Sequence, residues 1–235
     1  MIYIYALCDS PRPVPAGLCG LEEQPLEVVD AETVAAVCSH HSVDRITATP
    51  ANAWRHEAVV EALMADRAVL PVRFGTTFAD PHRLRAVLVR HGCDLVAGLE
   101  RVGGLVEVGV RVLIRPSAGG KAEVAPESAT GTAYLRARLR EERLRQQWTA
   151  QAERWAEEFH AQLAAGAHGS TRRILATPEW LLTGAYLVRP DELDAFRRRA
   201  EGLGRAHPEV RLLCTGPWPA YHFVPHLPLE EANHA

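Results

Sequence analysis

The residues able to do chemistry come first. The chain carries eleven histidines and five cysteines. His40 and His41 are neighbours, and neighbours in a strand point to opposite faces, so they cannot share one metal ion. His222 and His226 stand four apart, but Pro225 between them opposes the helix that would align them. No His-Glu-x-x-His segment occurs. Cys8, Cys19, Cys38, Cys93 and Cys214 are scattered and form no Cys-x-x-Cys pair, which excludes a local redox motif or zinc knuckle. Cys214, close to Gly216 at a strand end, could offer a thiol; a cysteine buried in a core strand is the expected reading. Gly119-Gly120-Lys121 lacks the first glycine of a phosphate-binding loop, and Ala122 stands where that loop needs Ser or Thr. There is no Gly-x-Ser-x-Gly elbow. Asp66, Asp80, Glu100 and Glu107 form no pair that would nominate a general acid and base. The expectation is therefore no catalytic residue, no metal and no cofactor.

Two stretches remain that core packing alone does not explain: VLPVRFGTTF at 69–78 and CTGPWPAYHFV at 214–224. Both end a predicted strand and turn outward through a glycine. Arg, Trp and Tyr are enriched where protein surfaces meet, so Arg73, Phe74, Trp218, Tyr221 and Phe223 are the candidate protein-interaction residues. The competing reading is local: Arg73 meets a carboxylate across the sheet and the tail aromatics lid the core. Arg73 itself is expected to anchor its strand end to an acid. Gly75 would permit the turn, and Thr76 or Thr77 would cap the next segment.

The elements that must position these residues are legible. MIYIYAL reads as a strand, and Asp9–Gly20, with its prolines and glycines, as a loop. Short strands are predicted at Leu26–Val29 and Thr33–Cys38, the second with a helical alternative. Thr49-Pro50 is an N-cap followed by proline at the first helical position, predicting a helix to about Ala65 that buries Trp54, Ala58 and Leu63. AVLPVRFG is a strand whose Pro71 implies an edge or bulge. Asp80-Pro81 opens a second helix, with Leu84, Val87, Leu88, Leu95 and Leu99 at helical spacing and a break or bend at Gly92. LVEVGVRVLI at 105–114 is a strand.

Beyond a Pro/Gly/Ser/Thr-rich stretch, the longest helix is predicted over Ala133–Ala165. Its stripe is Leu144, Trp148, Ala152, Trp155, Phe159 and Leu163. Glu141–Arg145 and Arg138–Glu142 would pair at i,i+4 on its flanks. Strands at Arg173–Ala176 and Trp180–Val188, a helix from Pro190-Asp191 to Ala206, a strand EVRLLCTG and an extended tail PWPAYHFVPHLP complete the chain. Strand, helix, strand in each half gives an α+β fold: two ferredoxin-like-type domains with antiparallel sheets, joined by a flexible linker and a long helix. The boundaries read as 1–116, a linker at 117–132, 133–224, and a tail at 225–235.

Composition bounds the function further. The formal charge of −3 argues against a dedicated nucleic-acid binder. Lys121 is the only lysine among 26 basic residues. The arginines are interleaved with acids along helical faces, so base-composition bias explains them better than a concerted anion site. No apolar run approaches the ~20 residues of a bilayer span. The N-terminus carries no signal-peptide pattern, and a reducing cytoplasm is the expected compartment.

With these segments in hand, the chain resembles the GvpL/GvpF family of gas vesicle proteins. The resemblance rests on MIYIYAL, RHEAVVEALM running into AVLPVRFGTTF, TAYLRARLREER, and LLCTGPWPAYHFV, in order along nearly the whole chain. Ala220 and His222 depart from a second proline and a small polar residue usual there. The resemblance implies a non-enzymatic, cytoplasmic accessory or structural protein of the gas vesicle, with two α+β domains. Its implied partners are the small hydrophobic shell protein and other gas vesicle proteins, in a structural or chaperone-like role. Two other readings compete: a regulatory protein holding a small ligand between paired ferredoxin-like domains, and an enzyme using Arg73 and a histidine on an anionic substrate.

Overall fold

The computed structural model describes residues 1–42, 46–115, 131–175, 177 and 180–225. Its contacts divide it into two units: Met1–Glu107 with the described residues from Pro217 onward, and Val108–Gly216. The chain thus does not part at a single point. The segment at 217–224, expected to close the C-terminal domain, packs with the first unit, and 108–115 belongs to the second. Of the linker expected at 117–132, 117–130 lie outside the described residues; Gly131 and Thr132 open the long helix.

The first unit is built on β1 (Ile2–Cys8), β2 (Leu26–Ala31), β3 (Val34–His40), β4 (Val69–Pro71) and β5 (Thr77–Phe78). The order is β2-β3-β1-β4, with β5 also pairing β1. All seven residues of β1 are buried, as a central strand covered on both faces requires. A bulge between Ile4 and Ala6 inserts Tyr5 as an extra residue opposite β3. It reverses the alternation, so that Tyr3, Tyr5, Ala6 and Cys8 all join one core cluster. Pro71 sits on the three-residue β4 at the end of the strand order, where a missing N–H costs nothing.

Helix α1 (Pro50–Met64) covers the Tyr3/Tyr5 face. Its Thr49 cap accepts from the Asn52 N–H at 3.2 Å. Asp80 caps α2 (Pro81–Arg90) in the same way, accepting from Arg83 N at 2.9 Å. The helix stops at His91, and α3 (Gly92–Val102) begins at the expected break. The buried face of α1 is His56, Val59, Val60 and Leu63. Trp54 and Ala58 are not on it: Trp54 is 70% exposed and Ala58 is exposed. At about 100° per residue, Trp54 lies opposite the centre of that buried quartet.

The second unit contains α4 (Gly131–Ala164), β7 (Gly169–Ile174), β8 (Trp180–Val188) and α5 (Leu193–Ala206), with β6 (Val106–Ile114) from Val108 onward and β9 (Val210–Trp218) as far as Gly216. The strand order β7-β8-β6-β9 with helices after β6 and β8 is the ferredoxin-like βαββαβ arrangement. The first unit has the same spatial order, but the connection from β1 to β2 is the proline-rich loop and a short 3-10 turn, Leu21–Glu23, rather than a helix. Pro11, Pro13 and Pro15 at every second position forbid one.

The core of the second unit joins Val108, Val110 and Val112 to Ala152, Ala156, Phe159 and Leu163 of α4 and to Phe196, Ala200 and Leu203 of α5. The predicted α4 stripe is buried only from Trp148 onward; Leu144 is 59% exposed. Geometry explains the difference. Thirty-four helical residues span about 50 Å at 1.5 Å each, whereas the nine residues of β8 span only about 30 Å. The helix overhangs its sheet. Its ion pairs are i,i+3 rather than i,i+4: Arg138–Glu141 at 3.2 Å and Arg145–Glu142 at 2.8 Å.

Candidate functional site: an aromatic cleft in the first unit

The Arg73-Phe74-Gly75-Thr76 segment is a closed turn. Thr76 donates to the Arg73 carbonyl through both its backbone N–H (3.2 Å) and Oγ1 (2.8 Å). Gly75 has φ +90°, the value a type II turn demands at its third residue. Behind the turn lies a buried polar chain. His56 Nε2–H donates to the Val72 carbonyl at 2.9 Å. A carbonyl only accepts, so Nδ1 is the bare nitrogen and takes the Tyr3 hydroxyl hydrogen, also at 2.9 Å. The Tyr3 oxygen in turn accepts the Gly75 N–H at 3.2 Å. Burial lowers the His56 pKa to about 4 and raises that of Tyr3. Phe74 packs edge-on against Tyr3 and His56, each ring 5.8 Å away.

This segment is therefore a structural clasp. The expected carboxylate for Arg73 is not found: its side chain is exposed and has no ion pair among the described residues. The strand ends here because the turn's own main chain, with Tyr3 and His56, holds it.

The tail residues are placed differently. β9 carries Pro217 and Trp218, so the segment expected to be extended begins as strand. Pro219 and Ala220 are buried, and Tyr221–Phe223 coil into a 3-10 turn. Four hydrogen bonds fix it. The His222 backbone N–H donates to Glu107 Oε2 at 2.9 Å, and His222 Nδ1 meets Oε1 at 2.7 Å. Arg101 Nη2 donates to the Phe223 carbonyl. Tyr221 Oη donates to Glu57 Oε2 at 2.8 Å. Gly98 of α3 permits the approach of Pro225, whose Cγ would lie 2.9 Å from a Cβ placed there.

The result is an open cleft of ≈ 390 Å³, with Trp54, Trp218 and Tyr221 among its walls and Glu57, Glu107 and His222 beside them. Trp218 is 39% exposed, and the indole of Trp54 more so. Burial raises the Glu57 pKa, against the opposing Tyr221 hydrogen bond and with help from Glu61. Glu57 Oε1 is buried and has no partner among the described residues, so the wall keeps an unused acceptor. Burial likewise raises the Tyr221 pKa.

Of the five candidate residues, the cleft gathers Trp218 and Tyr221. Phe223 is 6% exposed and anchors the turn from inside. Arg73 and Phe74 do not line the cleft. Trp54, Glu57, Glu107 and His222 were missed. Trp54 had a signal: Val59, Val60 and Leu63 already define a face that excludes it. Glu107 had none, since its partner is far along the chain. Cys214, expected in the core, is exposed. Among the described residues, no three His, Cys, Asp or Glu side chains converge as a metal site would require, and no helix is long and apolar enough to cross a membrane. Apolar walls and exposed aromatic rings are what this cleft offers to solvent.

Comparison with known proteins identifies relatives of the chain. The family model described as gas vesicle synthesis protein GvpL/GvpF matches residues 1–225. The chain is 28% identical to "Gas vesicle protein F2" of Halobacterium salinarum over 239 aligned residues, covering 99% of this chain and 96% of the relative. It is 32% identical to "Gas vesicle protein L" of a Streptomyces species, covering 72% of this chain and 67% of the relative. Crystal structures of GvpF from an Anabaena species and from Microcystis aeruginosa share the fold. Their TM-scores are 0.76 and 0.70 at 20% and 17% identity; each covers 95% of this chain, and the matches span 95% and 98% of those chains.

Proposed function

The chain belongs to the GvpL/GvpF family of gas vesicle synthesis proteins, and from that premise we propose that it is a non-enzymatic accessory protein that binds the small hydrophobic shell protein, and other gas vesicle proteins, during assembly in the cytoplasm and at the vesicle. The observation that carries this reading is the pair of exposed indoles, Trp54 and Trp218, on one cleft whose other wall is pinned by buried carboxylate contacts. Tryptophan and tyrosine are among the side chains most enriched as anchors of protein interfaces. A shell subunit with a wide apolar face would aggregate unless covered before assembly. The cleft supplies the exposed apolar area on which such a face would rest.

The test is co-purification of the shell protein with the Trp54→Ala/Trp218→Ala double variant. Loss of both indoles weakens capture at least about 30-fold, the effect of one strong interface anchor. The melting temperature stays within a degree or two, because both rings stand outside the core. Undiminished capture by a folded variant sinks the proposal; so does a variant that simply unfolds, since the rings would then belong to the core.

A further inference from the structure

The second unit carries a different cleft, and nothing in the family reading assigns it. It measures ≈ 600 Å³ and lies along α5 and β9. Four guanidinium groups line it: Arg115 just past β6, Arg197 and Arg205 on α5, and Arg211 on β9. Glu201 is the one carboxylate among its lining residues and lies 3.8 Å from Arg205. Arg197 is 4.0 Å from Asp194. The side chains of Arg115 and Arg211 have no hydrogen-bond or ion-pair partner among the described residues. Positive charge is therefore in excess here, in a protein whose formal net charge is −3. A concave wall concentrates its field more than a convex one does.

The strand at this cleft is also open. β9 is outermost in the order β7-β8-β6-β9, so its outer main-chain edge faces no strand among the described residues. A guanidinium already reaches that main chain: Arg197 Nη2 donates to the Gly216 carbonyl at 2.8 Å. Charges on an edge strand commonly serve to repel stray pairing. That role needs charges on the strand itself, whereas three of these four arginines come from other elements and converge beside it. Forked, always-charged donors next to unpaired main-chain groups suit a segment that brings both a strand and carboxylates.

We propose that β9 and its arginine-lined cleft dock an extended acidic segment of a partner protein, by strand addition on the free edge with carboxylates held by Arg115 and Arg211. The occupant is set by charge complementarity and by the open edge together. The stretch from Val210 to Cys214 is long enough, at about 3.3 Å per residue, to pair five or six residues of such a segment. This site is independent of the aromatic cleft, and the two readings can fail separately.

Cys214 lines the cleft and is exposed, and Cys93, also exposed, lies in the other unit, so the full-length protein carries its own probe and its own reference. The experiment follows alkylation of both thiols with three additives: an octapeptide alternating Glu and Val, its Lys–Val counterpart, and inorganic phosphate. The Glu–Val peptide slows Cys214 modification several-fold and leaves Cys93 unchanged, and raising the salt abolishes the protection. Arg115→Ala with Arg211→Ala weakens protection about tenfold, as expected for lost charge-assisted hydrogen bonds, without moving the melting temperature. Arg211→Glu shifts preference toward the Lys–Val peptide. Methylating the peptide's alternate main-chain nitrogens removes binding. Equal protection by the Lys–Val peptide, by phosphate alone or by the methylated peptide overturns the proposal, as does no protection at all.

Discussion

The two units place four strands in the same spatial order and put opposite chemistries on them. In the first, a buried carboxylate seats the 221–223 turn, a buried tyrosine–histidine chain closes the 73–76 turn, and the cleft shows exposed indoles on largely apolar walls. In the second, the core is nearly all aliphatic and aromatic, and polarity is displayed at a strand edge as arginine. The difference lies in where each unit keeps its polar groups. Buried polar groups that bond to one another make a rigid frame. Exposed guanidiniums cost little and stay free to meet a partner.

Acid should separate the units most strongly. His56 is neutral and buried, with its pKa lowered to about 4 from the usual 6.5. Between those values the unfolded chain takes up a proton that the folded one refuses, so stability present above pH 6.5 is lost as the pH falls toward 4. The loss is about 3 kcal/mol. Hydrogen exchange read separately over the two units at pH 7 and 4.5 should show the first opening and the second lagging. The second unit has His160, shifted in the same direction by burial and Arg172 but only part-buried, so its response is smaller. Equal loss in both units, or its persistence in a His56→Gln variant, would break the contrast.

A smaller effect sharpens it. Glu107→Ala removes both bonds that seat His222 and should cost about 2 kcal/mol. Exchange at 219–224 should rise and shell-protein capture fall, with protection of Cys214 by the acidic peptide unchanged. The smallest pair has opposite signs. Gly75, at φ +90°, should lose about 1 kcal/mol on substitution by alanine, because an L side chain resists that conformation. Gly202, inside α5 with open space at its missing Cβ, should gain about 0.5–1 kcal/mol from the same change. Denaturant midpoints of the two variants check both.

Local chemistry wrote much of this into the sequence. Thr49-Pro50 and Asp80-Pro81 start helices because a side-chain oxygen and a fixed φ suffice within one turn. His91-Gly92 marks a break, and the alternation at 106–114 gives a strand, for equally short-range reasons. The candidate site was half legible: Trp218 and Tyr221 stood out by type, while the partners that aim them did not. Glu57 and Glu107 look like any surface acid until the tail returns to them.

What the sequence determined by itself is the kind and order of most of the elements and the family, because propensity, capping and period act over a few residues. What only the tertiary structure decided is which faces stay open. Trp54 is exposed although it sits in a helix with a buried side, because the sheet covers only the opposite arc. Leu144 is exposed because α4 outruns its sheet. Arg115 and Arg211 meet at one cleft because β9 returns beside β6. Exposure depends on what else is within reach, and residues far apart along the chain become neighbours only when it folds.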